Sequence, residues 1–263
     1  MPNFQTLLES APLPDLRLRR RAAQLVQSMV RGQSANSLGC LGPADATQES
    51  FTCGAYRFFD NDDVTRTALH TPMQVALREL TFPSETVTVA HDLSVLNYSG
   101  HNRKEDLIPV GNDRTWGYEL FQSLVIKAGV PVGAAVTELR CNQGILSSQS
   151  DEAIPFLDHL EQAECAVDSV EKLLPERLLI HLFDREFDDV KLLRYLAERK
   201  YVIRCRNLSR IVAVHGERLS IGRHLESRGD ASLRAEHTDL HTKRDLVAMA
   251  RTLEPYLGQI LRR

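Results

Sequence analysis

The chain lacks the sequence features of several large protein classes. No P-loop, GxSxG motif or dinucleotide-binding fingerprint is present in its 263 residues. Its five cysteines are widely spaced and include no CxxC pair, which argues against both a disulfide framework and a zinc knuckle. These cysteines are Cys40, Cys53, Cys141, Cys165 and Cys205.

Long apolar runs and an excess of positive charge are also missing. No stretch approaches the roughly eighteen apolar residues of a membrane span, and the N-terminus has no apolar core of a secretion signal. The net charge of -3 excludes a uniformly basic surface, so any contact with nucleic acid has to come from local clusters. We therefore expect a folded protein without membrane contact, in the bacterial cytoplasm or nucleoid.

A local basic cluster lies at the start of the first clear helical pattern. Apolar residues recur at helical spacing from Pro14 to Gly32. The first turns carry four arginines, although the helix dipole disfavours cations at that end. A phosphate partner would explain them, and a solvated polar face is the alternative. The arginines are Arg17, Arg19, Arg20 and Arg21.

The chain changes from helical to strand patterns near residue 83. A further helix is predicted over residues 66–80, and a strand over 86–90 that ends in His91 and Asp92. A hairpin, a long helix, a buried strand over 178–183, a second helix and a short strand over 201–206 follow. A last hairpin is predicted between residues 210 and 221.

This order of elements predicts an α/β fold. The succession β-β-β-α-β-α-β is that of an RNase H-like mixed sheet with flanking helices. We predict a small helical DNA-binding domain over residues 1–82 and the RNase H-like core over 83–207. Residues 208–263 would be the start of a β insertion or a divergent tail.

Two predicted strands end in aspartates, Asp92 and Asp184. Ligand sites in α/β folds gather at the carboxyl ends of strands, so these two carboxylates can meet at one edge of the sheet. Carboxylate oxygens suit Mg2+ or Mn2+, and a pair of such ions about 4 Å apart supports in-line phosphoryl transfer. Taken alone, each aspartate is also typical of a turn at a strand end.

Three sequence blocks favour the catalytic interpretation. HDLSVLNYSGH (residues 91–101) and FDREFDDVKLL (183–193) resemble the two best-known blocks of the insertion-sequence family four (Tn-five-like) DDE transposases. GAYRFFDN (54–61) is similar to a block of that family's N-terminal DNA-binding domain. The blocks keep the family's order and spacing, and the resemblance covers roughly residues 13–206.

The resemblance implies a cut-and-paste transposase. Such an enzyme binds the inverted repeats at transposon ends as a homodimer and, with Mg2+ or Mn2+, cleaves double-stranded DNA and transfers it to a target. The resemblance implies that Asp92 and Asp184 are catalytic metal ligands. It also implies that Arg57 contacts transposon-end DNA, that Arg204 lies next to the bound strand, and that residues 17–21 fall in a DNA-contacting helix.

The chain departs from this family at two points. Leu93 stands where the family usually has Thr, which implies the loss of a small hydroxyl near the metal site. The family's third carboxylate lies in a Tyr-x2-Arg-x3-Glu-x6-Lys segment, and no segment fits it. Glu226 and Glu236 are alternatives without a recognisable motif.

Two functional hypotheses follow from the missing third carboxylate. The first is a truncated, frameshifted or partial transposase. The alternative is a non-catalytic DNA-binding protein, or an inhibitor of transposition, derived from such an enzyme. In both cases we expect this chain alone to bind Mg2+ or Mn2+ weakly and to cleave DNA inefficiently, because the second ion of the pair lacks a ligand.

Overall fold

The N-terminal part of the protein is helical. The computed structural model describes residues 4–9, 11–32, 46–101, 103–111, 115–205, 209–214, 217–221 and 223. Before the first strand these residues form helices α1 (Phe4–Glu9), α2 (Leu16–Gly32), α3 (Ala46–Phe59) and α4 (Arg66–Leu80). Buried side chains from α2, α3, α4 and the α1–α2 connection form one hydrophobic cluster, which contains Ala11, Leu13, Ala22, Leu25, Ala55, Phe58 and Ala68.

A mixed sheet with a long helix between its strands follows. Its first part contains β1 (Thr86–Asn97), β2 (Ile108–Pro109), β3 (Trp116–Lys127), β4 (Val130–Cys141), β5 (Gly144–Ser147) and β6 (Ala153–Ile154). The second part contains α5 (His159–Leu173), β7 (Leu178–Phe183), a short 3-10 helix (Arg185–Phe187), α6 (Val190–Tyr195) and β8 (Tyr201–Ile203). A separate hairpin, β9 (Ile211–Val214) and β10 (Glu217–Ser220), completes the described chain.

The strand order places β1 and β7 in the middle of the sheet. Within the described residues the order is β6-β5-β4-β3-β1-β7-β8, with β2 paired to β3. Strand β3 is antiparallel to both β1 and β4, whereas β7 is parallel to both β1 and β8. The sheet is therefore antiparallel on one side of β1 and parallel on the other.

One face of this sheet is the centre of the main hydrophobic core. Val87 and Val89 of β1 are fully buried on that face, and helix α5 covers it with Ala163, Val167 and Val170. A capping box begins α5, because Asp158 accepts the Glu161 N–H and the Glu161 side chain accepts the Asp158 N–H. Thr88, Ala90 and Asp92 alternate with the buried residues and lie on the opposite face.

Helix α4 links the helical cluster to the sheet. Its residue Ala68 packs in the helical cluster, whereas Leu77 is fully buried in the main core. Asp151, in the loop between β5 and β6, accepts hydrogen bonds from the Thr67 N–H (2.9 Å) and the Thr67 hydroxyl (2.6 Å) at the N-terminus of α4. The predicted domain boundary at residue 82 stays a prediction, and α4 contributes to both clusters.

The structure confirms the α/β class and changes several predicted bounds. The buried strand over residues 178–183 and the final hairpin are present as predicted. Strand β1 continues to Asn97, so the prediction that it ends at Asp92 is wrong. Its extension is paired with β3 as far as Asn97 opposite Gly117. The short strands β2, β5 and β6 and helix α1 were not predicted.

Candidate functional site

The parallel pairing of β1 with β7 brings Asp92 and Asp184 into neighbouring positions. The last register pair is His91 with Phe183, and each of these residues directly precedes one of the two aspartates. Asp184 keeps an extended backbone, with φ -79° and ψ -177°. Adjacent strands are about 4.8 Å apart and successive side chains alternate between faces. The two aspartates therefore lie side by side on the sheet face opposite the main core.

The Asp92 carboxylate is exposed and has one hydroxyl partner. The Ser94 hydroxyl donates to Asp92 Oδ2 at 2.7 Å. Leu93 packs against the main core on the other face of the sheet, since consecutive strand residues point to opposite sides. Residue 93 therefore lies on the opposite face from Asp92, and the hydroxyl next to the Asp92 carboxylate comes from Ser94. The prediction that Leu93 removes a hydroxyl from this site is wrong for that reason.

The Asp184 carboxylate is held at the start of a tight turn. It caps the 3-10 helix by accepting the Glu186 N–H at 2.8 Å through Oδ1. The end of the same turn is bound from the β9 side, where the Arg210 guanidinium pairs with the buried Asp188 carboxylate and also donates to the Asp188 carbonyl. These contacts fix the backbone that carries Asp184.

The two carboxylates keep oxygen atoms available for a cation. Among the described residues, no lysine, arginine or histidine forms an ion pair with Asp92 or Asp184. Within the described residues, only one oxygen of each carboxylate is hydrogen-bonded. Within the same part of the chain, no group of three or more His, Cys, Asp or Glu side chains is placed to hold a metal ion. Glu226 and Glu236 lie outside the described residues.

Two buried histidines lie on the core face directly behind the aspartates. His91 and His181 are 2% and 0% exposed, and His91 Nε2 lies 2.9 Å from His181 Nδ1. Burial lowers the pKa of His91 well below its usual value, and His181 lowers it further. Burial, assisted by the Arg199 charge, lowers the pKa of His181 to about 4. Sequence reasoning missed this pair, because its contact depends on the register between two distant strands.

The basic cluster of helix α2 divides into exposed and internally bound arginines. The side chain of Arg17 is 91% exposed and forms a weak surface ion pair with Asp15 at 3.6 Å. Arg20 is also exposed, three residues along the same helix face. Arg19 differs, because its Nε donates to the Leu13 carbonyl at 2.7 Å. Arg17 and Arg20 are therefore the members of the cluster that a phosphate can reach most freely.

Arg21 lies between α2 and α3. Its guanidinium is 5.9 Å from the centre of the Phe51 ring. A Cβ at Gly54 would lie only 3.0 Å from this guanidinium, so the glycine that opens the GAYRFFDN block gives Arg21 its space. Arg21 thus contributes to the packing of the helices, in contrast to the solvated arginines on the same helix.

The remaining predicted DNA-contacting residues lie apart. Arg57 is exposed in the last turn of α3, beside Tyr56 and Phe59, which are 57% and 48% exposed. Exposed aromatic side chains next to an arginine suit contact with nucleic acid. Arg204 follows β8, is half-buried, and donates its backbone N–H to the Phe183 carbonyl at 3.1 Å. Arg204 is therefore near the strand end that carries Asp184.

Comparisons with known proteins support the interpretation of the N-terminal region. Residues 3–64 match the family model described as transposase DNA-binding. This segment contains the arginines of α2, Arg57 and the GAYRFFDN block, so the prediction of a transposase-related DNA-binding role is confirmed at this level. No curated protein sequence matches the chain. Among the described helices, none is long and apolar enough to cross a membrane.

Proposed function

We propose that this chain is a transposase-derived DNA-binding protein with an RNase H-like core, in which Asp92 and Asp184 belong to a DDE-type metal site. The observation that carries the proposal is the parallel register of β1 and β7, which makes the two aspartates neighbours on one face of the sheet. The match of residues 3–64 to the transposase DNA-binding family supports the same assignment from an independent part of the chain.

The strand order supports the RNase H-like part of this proposal. The sequence order of the core predicts three antiparallel strands followed by two strands that cross over through helices. In the sheet, β4, β3 and β1 are adjacent and antiparallel, and β7 and β8 continue it in parallel with β1. Helix α5 makes the crossover from the antiparallel strands to β7 on the core face.

The residues at the carboxylate pair fit a hard divalent cation. Asp92 and Asp184 supply oxygen atoms, which are the ligands that Mg2+ and Mn2+ prefer. Ser94 and the Glu186 N–H each orient one carboxylate, as expected of groups that hold a metal ligand in place. A divalent ion bound there would activate the attacking hydroxyl and stabilise the leaving oxygen of a phosphoryl transfer.

Contact with DNA would begin at the N-terminal helices. Arg17 and Arg20 would neutralise phosphates, and Arg57 would add a contact from α3. In the proposed complex, two copies of the chain form a homodimer in which each copy holds one transposon end. Arg204 would contact the DNA strand that reaches the carboxylate pair, because this arginine directly follows β8, the β-strand paired with β7.

The DNA contacts can be tested by the salt dependence of binding. For a short mixed-sequence duplex, fluorescence anisotropy between about 50 and 200 mM salt should give a steep fall in affinity. Arg20→Ala should flatten the slope by about 0.9 for each phosphate that is no longer neutralised. Arg194→Ala, which removes another exposed arginine, from α6, is the matched control and should leave the slope unchanged. An equal slope in Arg20→Ala and the unsubstituted protein would show that Arg20 is a solvated residue that does not contact a phosphate.

A second candidate function is DNA binding without catalysis. It is favoured by the lack of a third His, Cys, Asp or Glu ligand near Asp92 and Asp184 among the described residues. A plasmid nicking assay with Mn2+ separates the two candidates. We expect binding without efficient nicking by this chain alone. Efficient nicking that disappears in Asp184→Asn would contradict this and direct the search for a third ligand to Glu226 and Glu236.

A further inference from the structure

The two buried histidines join the strands that carry the aspartates. His91 is the residue before Asp92 on β1, and His181 lies three residues before Asp184 on β7. Their ring nitrogens, His91 Nε2 and His181 Nδ1, are 2.9 Å apart, which is hydrogen-bond distance. The bond runs diagonally across the register, because the register partner of His91 is Phe183 and that of His181 is Val89.

His91 also contacts its two neighbouring strands directly. Its Nδ1 lies 2.9 Å from the Ser123 hydroxyl of β3. Its ring stacks on Phe183 of β7, with ring centroids 4.5 Å apart and planes inclined by only 9°. Phe183 in turn directly precedes Asp184. The residues immediately before both aspartates are therefore in face-to-face contact, and hydrogen bonds from His91 reach the strands on both sides.

The hydrogen bond between the two rings requires the same tautomer in both. A neutral imidazole has one N–H donor and one acceptor nitrogen. If His91 donates from Nε2, His181 accepts at Nδ1 and its own proton is on Nε2; if His181 donates from Nδ1, the His91 proton is on Nδ1 and is donated to the Ser123 hydroxyl. The far nitrogen, His181 Nε2, has no hydrogen-bond partner among the described residues, since Glu171 Oε1 is 3.8 Å away. Either tautomer joins Ser123, His91 and His181 in one hydrogen-bond chain.

The hydrogen bond between the two histidines specifies the register of β1 and β7 more strictly than an apolar pair at these positions would. Apolar side chains pack in many offsets, whereas a hydrogen bond between two specified nitrogen atoms is broken when the strands slide. A slip by one residue would also move every side chain of the strand to the other face. The buried pair therefore specifies the register between β1 and β7, on which the adjacency of Asp92 and Asp184 depends.

We propose that His91 and His181 are positioning residues for the carboxylate pair, acting through the hydrogen-bond chain that joins Ser123, His91 and His181 across strands β3, β1 and β7. This inference rests on the proposed function, because it assigns a role relative to the metal site. Neither histidine reaches the face of the aspartates, so their effect passes through the backbone of the two strands.

The hydrogen-bond chain can be tested by nitrogen NMR of the histidine rings near neutral pH. We expect the same tautomer in both rings, with the proton either on Nε2 of both or on Nδ1 of both. Different tautomers in His91 and His181 would place two donors or two acceptors against each other and would overturn the proposed chain.

The positioning role can be tested with a pair of substitutions at His181. His181→Leu removes the ring nitrogen that is hydrogen-bonded to His91, whereas His181→Asn keeps a polar side-chain atom close to the position of Nδ1. Electron paramagnetic resonance titration with Mn2+ should show a loss of about tenfold in affinity for His181→Leu, as for the removal of a group that orients a metal ligand. Affinity in His181→Asn should return close to that of the unsubstituted protein.

A control separates positioning from general stability. Val170→Ala truncates an equally buried side chain of α5, so it should lower the unfolding free energy and leave the Mn2+ affinity unchanged. If the unsubstituted protein binds Mn2+ through Asp92 and Asp184, and His181→Leu binds it equally well, the positioning role is overturned while the proposed function stands. Mn2+ binding that does not depend on the two aspartates would overturn the proposed function itself.

Discussion

Acidification should destabilise the protein through its buried histidines before its carboxylates are protonated. His181 is fully buried, and burial lowers its pKa from 6.5 to about 4, with a smaller contribution from Arg199. In the unfolded chain the same ring titrates near 6.5. Between these two values the unfolded state binds more protons than the folded state. The stability contributed by the neutral ring is therefore present above about pH 6.5 and is lost as the pH falls towards 4.

The size of this effect follows from the difference between the two pKa values. At about 1.36 kcal/mol for each pKa unit, the full loss is about 3 kcal/mol, of which about 2 kcal/mol falls between pH 7 and pH 5. The pKa of His91 is lowered in the same direction and adds to the loss. Glu119 is a carboxylate whose pKa is lowered, chiefly by its hydrogen bond with His159, so its contribution is lost only at lower pH, below about 4.5.

Urea unfolding at several pH values measures this effect. His181→Asn keeps a hydrogen-bond acceptor and does not titrate, so it should lose about 2 kcal/mol less than the unsubstituted protein between about pH 7 and pH 5. The comparison removes the contribution of His70, whose pKa is also lowered by burial and which is present in both proteins. An equal loss of unfolding free energy in both proteins would refute the assignment of His181 as a buried neutral ring.

Two further predictions concern the interactions that hold the sheet and helices together. Asp151→Ala removes both hydrogen bonds from Thr67 at the start of α4, and should lower the unfolding free energy by about 1 kcal/mol; an unchanged urea midpoint would show that these bonds contribute nothing. Gly117→Ala should lower it by about 3 kcal/mol, because a Cβ would lie 1.9 Å from the Leu96 carbonyl oxygen. Gly100→Ala is the control, because a Cβ at Gly100 would have no atom within 4 Å. Equal unfolding free energies of the two glycine variants would contradict the close approach of β1 and β3.

The elements that could be predicted from sequence are those with a local signal. The run from Leu178 to Phe183 is almost continuously apolar, and it forms a strand with these bounds. A turn at Gly129 was also predictable, and this glycine, with a positive φ of 78°, separates β3 from β4. Strand β1 extends past the predicted end because its partner β3 is twelve residues long, and a polar residue within a strand cannot be distinguished from one at its end without that partner.

The site could be predicted in part. Asp92 and Asp184 each follow a recognisable strand pattern, and the parallel register makes them neighbours. Which arginines of α2 face solvent could not be predicted, because Arg19 and Arg21 contact Leu13 and Phe51 through tertiary packing. Such contacts depend on how helices cross, and the spacing of residues along one helix does not determine this.

The measurement that tests the central claim most directly is an Mn2+ titration, by electron paramagnetic resonance, of four proteins: unsubstituted, Asp92→Asn, Asp184→Asn and the double variant. If both carboxylates bind one ion, each single variant should lose most of the binding, and the double variant should lose little more. Asp62→Asn removes one exposed carboxylate charge from another part of the chain and should bind as the unsubstituted protein does. Single variants that retain full binding would contradict a shared metal site at Asp92 and Asp184.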